Sequence, residues 1–197
     1  MNITFPHVIY YLFGMALLCS CASPPASFYT LSAVQEKAAA PSSSVSIAVG
    51  PVSIPETVDR PQMVLQEGPN EVTIDEMNRW AASPRDGVQR VVMENLSHLL
   101  GASRVYRYPQ GPVNTPDYRI EMEVLRFEST LGEGTFLDVV WTVRGSAKGD
   151  IKAGRTTSRQ TVANKSHEAL AGAHSQALGV LSRDVANAIQ SLEHQAK

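Results

Sequence analysis

Cysteine is nearly absent from this chain: there are two, Cys19 and Cys21, and both stand before residue 22. If the segment ahead of Cys21 is removed and the Cys21 thiol is capped, no thiol remains to form a disulfide, so the fold must rest on its core alone. Basic clusters are absent as well. The 17 Lys and Arg residues are offset by 19 Asp and Glu, for a formal charge of −2, and the nearest approach to a patch is Arg104 with Arg107. Nucleic acid is a poor partner for such a surface, because binding by counterion release needs clustered cations. No Gly-rich loop ends in Lys-Ser or Lys-Thr and no Gly-x-Ser-x-Gly elbow occurs, so neither nucleotide binding nor an esterase-type nucleophile is indicated. The first twenty residues contain no Asp, Glu, Lys or Arg at all.

That uncharged start holds an apolar run, Val8 to Leu18. It is shorter than the roughly 20 apolar residues of a membrane span and matches the about 7–15 of a secretory signal core. The run ends in Leu18-Cys19-Ser20-Cys21, which resembles the lipobox of bacterial lipoproteins, where a Leu, a small residue and a Ser precede the cysteine that receives diacylglycerol. The usual basic n-region is missing, and only the α-amino group and His7 stand in for it. We expect residues 1–20 to be a signal peptide and Cys21 to be the lipidated first residue of the mature chain, anchoring it to a membrane.

Residues 21–44 are expected as a tether, because Ala, Pro and Ser dominate and bury little apolar surface. Within it Phe28-Tyr29-Thr30-Leu31 is too apolar for a plain linker and suits docking, on the domain or on a partner. Residues 45–197 read as one domain. Alternating Val45, Ile47 and Val49 predict a strand, followed at Gly50-Pro51 by a turn or edge segment through Ile54. The stretches 62–66 and 70–74 flank Glu67-Gly68-Pro69 as a hairpin. Ser83 as N-cap, Pro84, Asp86 and a closing Gly101 bracket a first helix. Alternation predicts strands over Tyr118–Val124 and Leu137–Val143, paired as a hairpin, and a polar edge strand over Asp150–Ala163. A second helix is expected from Ser166 to Glu193. The sum is an α+β fold, a mainly antiparallel or mixed sheet packed against two long helices.

Candidate chemistry is thin. His167 and His174 share a helical face, but a zinc site wants more ligands at closer spacing, and both are expected on the surface or flank of the helix. Neighbouring Ser97 and His98 do not face each other on a helix. Asp75-Glu76, expected just before a turn or short helix, and Glu121 with Glu123 read as solvated acids. No cofactor, metal or catalytic group is therefore expected. The apolar residues Phe28, Tyr29, Ile54, Met77 and Trp80 are candidate partner contacts, with core filling the equal alternative for Trp80.

Several segments in order resemble the PqiC (YmbA) family of auxiliary lipoproteins across nearly the whole mature chain. They are Phe28-Tyr29-Thr30-Leu31, Val49 to Pro55 with Asp59-Arg60-Pro61-Gln62, Asn78-Arg79-Trp80-Ala81, Asn95-Leu96 to Leu100-Gly101, Tyr108-Pro109, the Leu137–Trp141 strand and Ala173-His174-Ser175. The resemblance implies a non-catalytic lipoprotein anchored in the outer membrane and facing the periplasm. It implies docking to a PqiB-like MCE-domain protein in intermembrane lipid transport, as a ring-like homo-oligomer. Ala22 and Ser23 are compatible with outer-membrane placement, since the Asp that retains enteric lipoproteins in the inner membrane is not there. A structural envelope lipoprotein and a lipid carrier with its own apolar cavity are the alternative readings.

Overall fold

The computed structural model describes residues 25–34, 44–110, 115–146 and 149–196. Cys21 and the expected signal peptide lie outside the described residues.

Among the described residues eight strands and two helices follow in order: β1 Ser27–Tyr29, β2 Ser46–Ser53, β3 Gln62–Gly68, β4 Glu71–Trp80, α1 Pro84–Leu100, β5 Arg104–Arg107, β6 Tyr118–Thr130, β7 Gly134–Gly145, β8 Ile151–Thr161 and α2 His167–Ala196. The strands form two sheets, a large one ordered β5-β2-β6-β7-β8 and a small one ordered β1-β4-β3. The α+β single domain expected from the sequence is what forms. Its division into two sheets was not expected.

The large sheet is mixed. β2 runs parallel to both neighbours, β5 and β6, because α1 returns the chain to the same end before β5 begins. The alternating apolar residues of β6 and β7 pair across the hairpin, Ile120 with Val143, Met122 with Trp141 and Val124 with Val139. All six are buried, so one face of these strands is covered while the acids between them stay at the solvent side, as the alternation requires. β8 closes the edge with Lys152, Arg155 and Arg159, charges that discourage further pairing.

Helix α1 starts and stops where its capping residues place it. The Ser83 hydroxyl accepts a bond from the Asp86 backbone N–H, and Gly101 closes the helix in the left-handed conformation. The apolar stripe of α2, including Leu170, Leu178, Leu181, Val185 and Ile189, is fully buried. One buried side chain ties α1 to the sheet: the Gln89 amide donates to the Val49 carbonyl at 2.7 Å.

Two expectations are corrected. Ser46 to Ser53 is one strand of the large sheet and not a strand followed by a turn; past the register shift after Val49 it pairs with β6 alone, as the edge-segment alternative has it. Asp75-Glu76 does not lead into a turn or helix, since β4 runs on to Trp80 with an irregularity where Met63 pairs with Asp75 but Gln62 pairs with Arg79. The residues between are held by Asp75, whose Oδ1 accepts from the Met77 and Asn78 backbone N–H groups at 2.9 and 3.0 Å. The segment around Phe28, expected to dock on the domain or on a partner, docks on the domain.

Candidate functional site

Residues 25–34 form a strap across the domain, and strand pairing and side chains of both helices bond several of its backbone groups. Ser27–Tyr29 adds to the small sheet parallel to Asn78–Trp80. The Ala81 N–H donates to the Tyr29 carbonyl at 2.8 Å. From there the strap crosses both helices. The Arg90 guanidinium of α1 donates to the Leu31 carbonyl, the Ser32 N–H donates to the Ser175 hydroxyl of α2 at 3.0 Å, and the Val34 N–H donates to the Asn95 side-chain carbonyl of α1 at 2.9 Å. Asn95 is itself buried and its amide donates to the Ser182 hydroxyl at 3.1 Å, so one side chain joins strap, α1 and α2.

Two glycines make the seat. A Cβ on Gly87 would lie 3.0 Å from Leu31 Cδ1, and one on Gly179 would lie 2.9 Å from Val34 Cγ2. Leu31 is 3% exposed. Burying such a side chain is worth about 1.5–3 kcal/mol, and each hydrogen bond adds about 0.5–1.5 kcal/mol. The strap is therefore a docked element with its own stability.

Beside the strap lies an open groove of about 770 Å³, with Phe28, Ala33 and Val34 on one wall and Glu168, Ala171 and Gly172 on the other. Phe28 is 65% exposed at its lip. A second, smaller pocket of about 200 Å³ lies between the β3–β4 hairpin and β6, lined by Val58, Val64, Val72, Leu125 and Phe127.

The candidate contacts from the sequence separate clearly. Phe28 is exposed, while Tyr29 is half-buried with its hydroxyl donating to the Asn78 side-chain carbonyl at 2.8 Å. Met77 is half-buried in the irregular part of β4. Ile54 and Trp80 are buried in the core, so Trp80 takes the core alternative. Cys21 lies outside the described residues.

His174 is the clearest departure from expectation. It is fully buried rather than on a helix flank, because position 174 falls four residues after Leu170 and four before Leu178 on the buried stripe. Its ring stacks on Phe127 at 3.8 Å and meets Trp80 edge-on at 6.0 Å. Its Nε2 is 2.8 Å from the Ser129 hydroxyl. Burial pushes its pKa down to about 3. This pair has the spacing of a nucleophile and base, yet His174 Nδ1 has no hydrogen-bond partner among the described residues. No acid orients the ring, and so weak a base cannot hold a serine proton at neutral pH. The contact is a core interaction.

His167, by contrast, begins α2 with its Nε2 2.9 Å from Asp75 Oδ2. Burial raises the Asp75 carboxyl, but bonds from Asn78 and Met77 more than offset it and hold the pKa below the usual carboxylate value. The two histidines, although seven residues apart, do not converge on a shared site. Among the described residues no group of three or more His, Cys, Asp or Glu could hold a metal ion.

Sequence reasoning missed the residues that seat the strap. Their trace is a line of small residues on α2, Gly172, Ser175, Gly179 and Ser182, spaced three or four apart, and the polar Asn95 on the buried face of α1.

Comparison with known proteins gives one family and several folds of the same kind. The family model described as "ABC-type transport auxiliary lipoprotein component" matches residues 29–186. A crystal structure of a Xanthomonas campestris protein of the DUF330 family model superposes with a TM-score of 0.70 at 18% identity, covering 87% of this chain and 100% of that one. A second crystal structure, of an uncharacterized protein, gives 0.68 at 18% identity over 84% of this chain and 99% of that one. No curated protein matches the chain.

Proposed function

Because the chain belongs to the family of ABC-type transport auxiliary lipoprotein components, we propose that it is anchored to the outer membrane through a lipid on Cys21 and faces the periplasm. There it serves as a non-catalytic docking component for an MCE-domain, PqiB-like protein of an intermembrane lipid transport system, working as a homo-oligomer.

The observation that carries this reading is the strap. The family match begins at Tyr29, eight positions after Cys21, where the chain is paired with β4, and within five residues more it is bonded to both helices. A lipid on Cys21 thus holds a rigid domain close to the membrane. One acyl chain anchors only marginally, and further chains each add about 0.8 kcal/mol per buried CH₂, so a fully acylated cysteine holds permanently. Transport by an assembly asks for a fixed docking surface, which a strapped domain provides, and does not ask for a catalytic group.

Two experiments test the reading. Cys21→Ala is expected to give a folded but mislocalised protein, read by fractionation, and a variant that stays wholly membrane-bound after alkaline washing contradicts the anchor. Crosslinking of the tagged full-length protein in intact cells, followed by mass spectrometry, is expected to recover an MCE-domain protein. Crosslinks confined to copies of itself or to peptidoglycan-associated proteins, with the MCE protein expressed, instead favour a structural envelope lipoprotein.

A further inference from the structure

We infer that the lip of the strap groove, led by Phe28, is a membrane-contacting surface that enters the lipid interface beside the anchor. The inference rests on lipidation of Cys21 and adds to it a fixed orientation of the domain.

The argument is one of chain length. Three residues separate Cys21 from Pro25, the first described residue, and even fully extended the four steps between them reach no more than about 14 Å. Phe28 follows three positions later, at most about 11 Å further along an extended chain. The strap beyond it cannot swing, since Leu31 is buried and Ser32 and Val34 are bonded to α2 and α1. Whatever path residues 22–24 take, the end of the domain that receives the strap must face the bilayer. Interfacial segments bury their apolar side chains about 5–10 Å into the headgroup and acyl boundary.

At that end the surface is suited to such contact. Phe28 is 65% exposed on the outermost strand of the small sheet. Ala33, Val34 and Gly172 lie beside it in a groove that also carries Thr30, Ser32, Glu168 and Gln176, so Phe28 is its apolar point, and a Cβ on Gly172 would meet open space. Phe28 pairs in register with Arg79, whose guanidinium is already engaged by Glu76 at 3.0 Å, so the contact is apolar rather than selective for a headgroup charge. Another exposed apolar residue, Ile151 on the edge strand β8, sits at the far end. Its neighbour Lys152 reaches Ser191 at 2.6 Å, 24 positions after His167 on α2, or about 36 Å along the helix axis.

The test uses the full-length protein, processed in cells, purified and reconstituted into vesicles of phosphatidylethanolamine and phosphatidylglycerol. Phe28→Cys and Ile151→Cys each introduce one thiol on an exposed side chain, leaving the core untouched, and each is labelled with a fluorophore sensitive to polarity. With the lipid on Cys21 confirmed by mass spectrometry, the label at 28 is expected to shift to the blue and to be quenched at least twofold by brominated phospholipid, while the label at 151 stays as in water. Equal behaviour at both positions in protein that floats with vesicles overturns the inference but leaves the anchor standing. Protection at 28 from both brominated lipid and aqueous iodide also overturns it, showing that protein covers the residue. Absence of acyl chains on Cys21 overturns the inference together with the anchor it rests on.

Discussion

Replacing Leu31 by Ala tests whether the strap is held by its own contacts. The side chain is 3% exposed and lies directly over Gly87, 3.0 Å from where a Cβ would stand. Truncation to Ala removes three carbons from this seat, a loss of about 2.4 kcal/mol at about 0.8 kcal/mol per buried CH₂. Leu to Ala changes in closed cores run to about 5 kcal/mol when a cavity persists, but this seat lies at the edge of the domain and can close, so the lower figure applies. A loss of about 2.4 kcal/mol lowers the equilibrium for strap docking roughly 50-fold. Local opening is read by amide hydrogen exchange, and the reporters are the Ser32 and Val34 N–H groups, which donate to Ser175 and Asn95. Both are expected to exchange about 50-fold faster in Leu31→Ala, and amides of the fully buried Ile120 and Leu137 in β6 and β7, which open only when the whole domain unfolds, accelerate by no more than that factor, because the native state has lost the same contact. Unchanged exchange at Ser32 and Val34 refutes the seat as the source of strap stability. Exchange at Ser32 and Val34 as slow as at Ile120 and Leu137 before any substitution refutes its independence and makes the strap part of the global folding unit.

Asn95→Ala removes the acceptor for Val34 and the donor to Ser182, and denaturant unfolding is expected to show a loss of about 1–3 kcal/mol. Because Leu31 and Asn95 hold the same strap, the double variant should lose less than the sum of the two; full additivity of the two losses would count against a shared element. His174 has a pKa near 3 in the fold against 6.5 as its ordinary value, so the unfolded chain takes up a proton first as pH falls. Its contribution to stability is complete above pH 6.5 and is lost progressively between there and about pH 3. His174→Leu should cost stability at neutral pH, by leaving the Ser129 hydroxyl without this partner, yet flatten the dependence of the urea midpoint on pH through that window. An unchanged pH slope would show that His174 is not the titrating group.

Much of the fold was legible because local chemistry and tertiary structure agreed. Ser83, Pro84 and Gly101 set the ends of α1 through caps that need no distant partner. The alternation around Ile120 and Val139 gave the β6–β7 hairpin, since one covered face imposes period two on both strands. Legibility failed where a residue's partner is remote in sequence. Position 174 lies on the buried stripe of α2, but histidine reads as polar, and only Phe127, Trp80 and Ser129 arriving from other elements make an uncharged ring welcome there. Asp75-Glu76 reads as a turn signal because Asp bonds its own following backbone, which it does, yet pairing with β1 and β3 keeps the strand going past it.

By itself the sequence determined the bounds of the first helix, the main hairpin and the α+β class. Those follow from local propensity and from the period of apolar residues. The tertiary structure alone decided that the strands divide into two sheets and that β2 sits centrally between parallel neighbours. It also decided that Phe28 to Val34, which composition assigns to a tether, is strapped across both helices. That last outcome depends on recesses at Gly87 and Gly179 and on acceptors at Asn95 and Ser175, far along the chain from the strap. An absent side chain leaves little trace in a sequence until the fold shows what lies in the space it leaves.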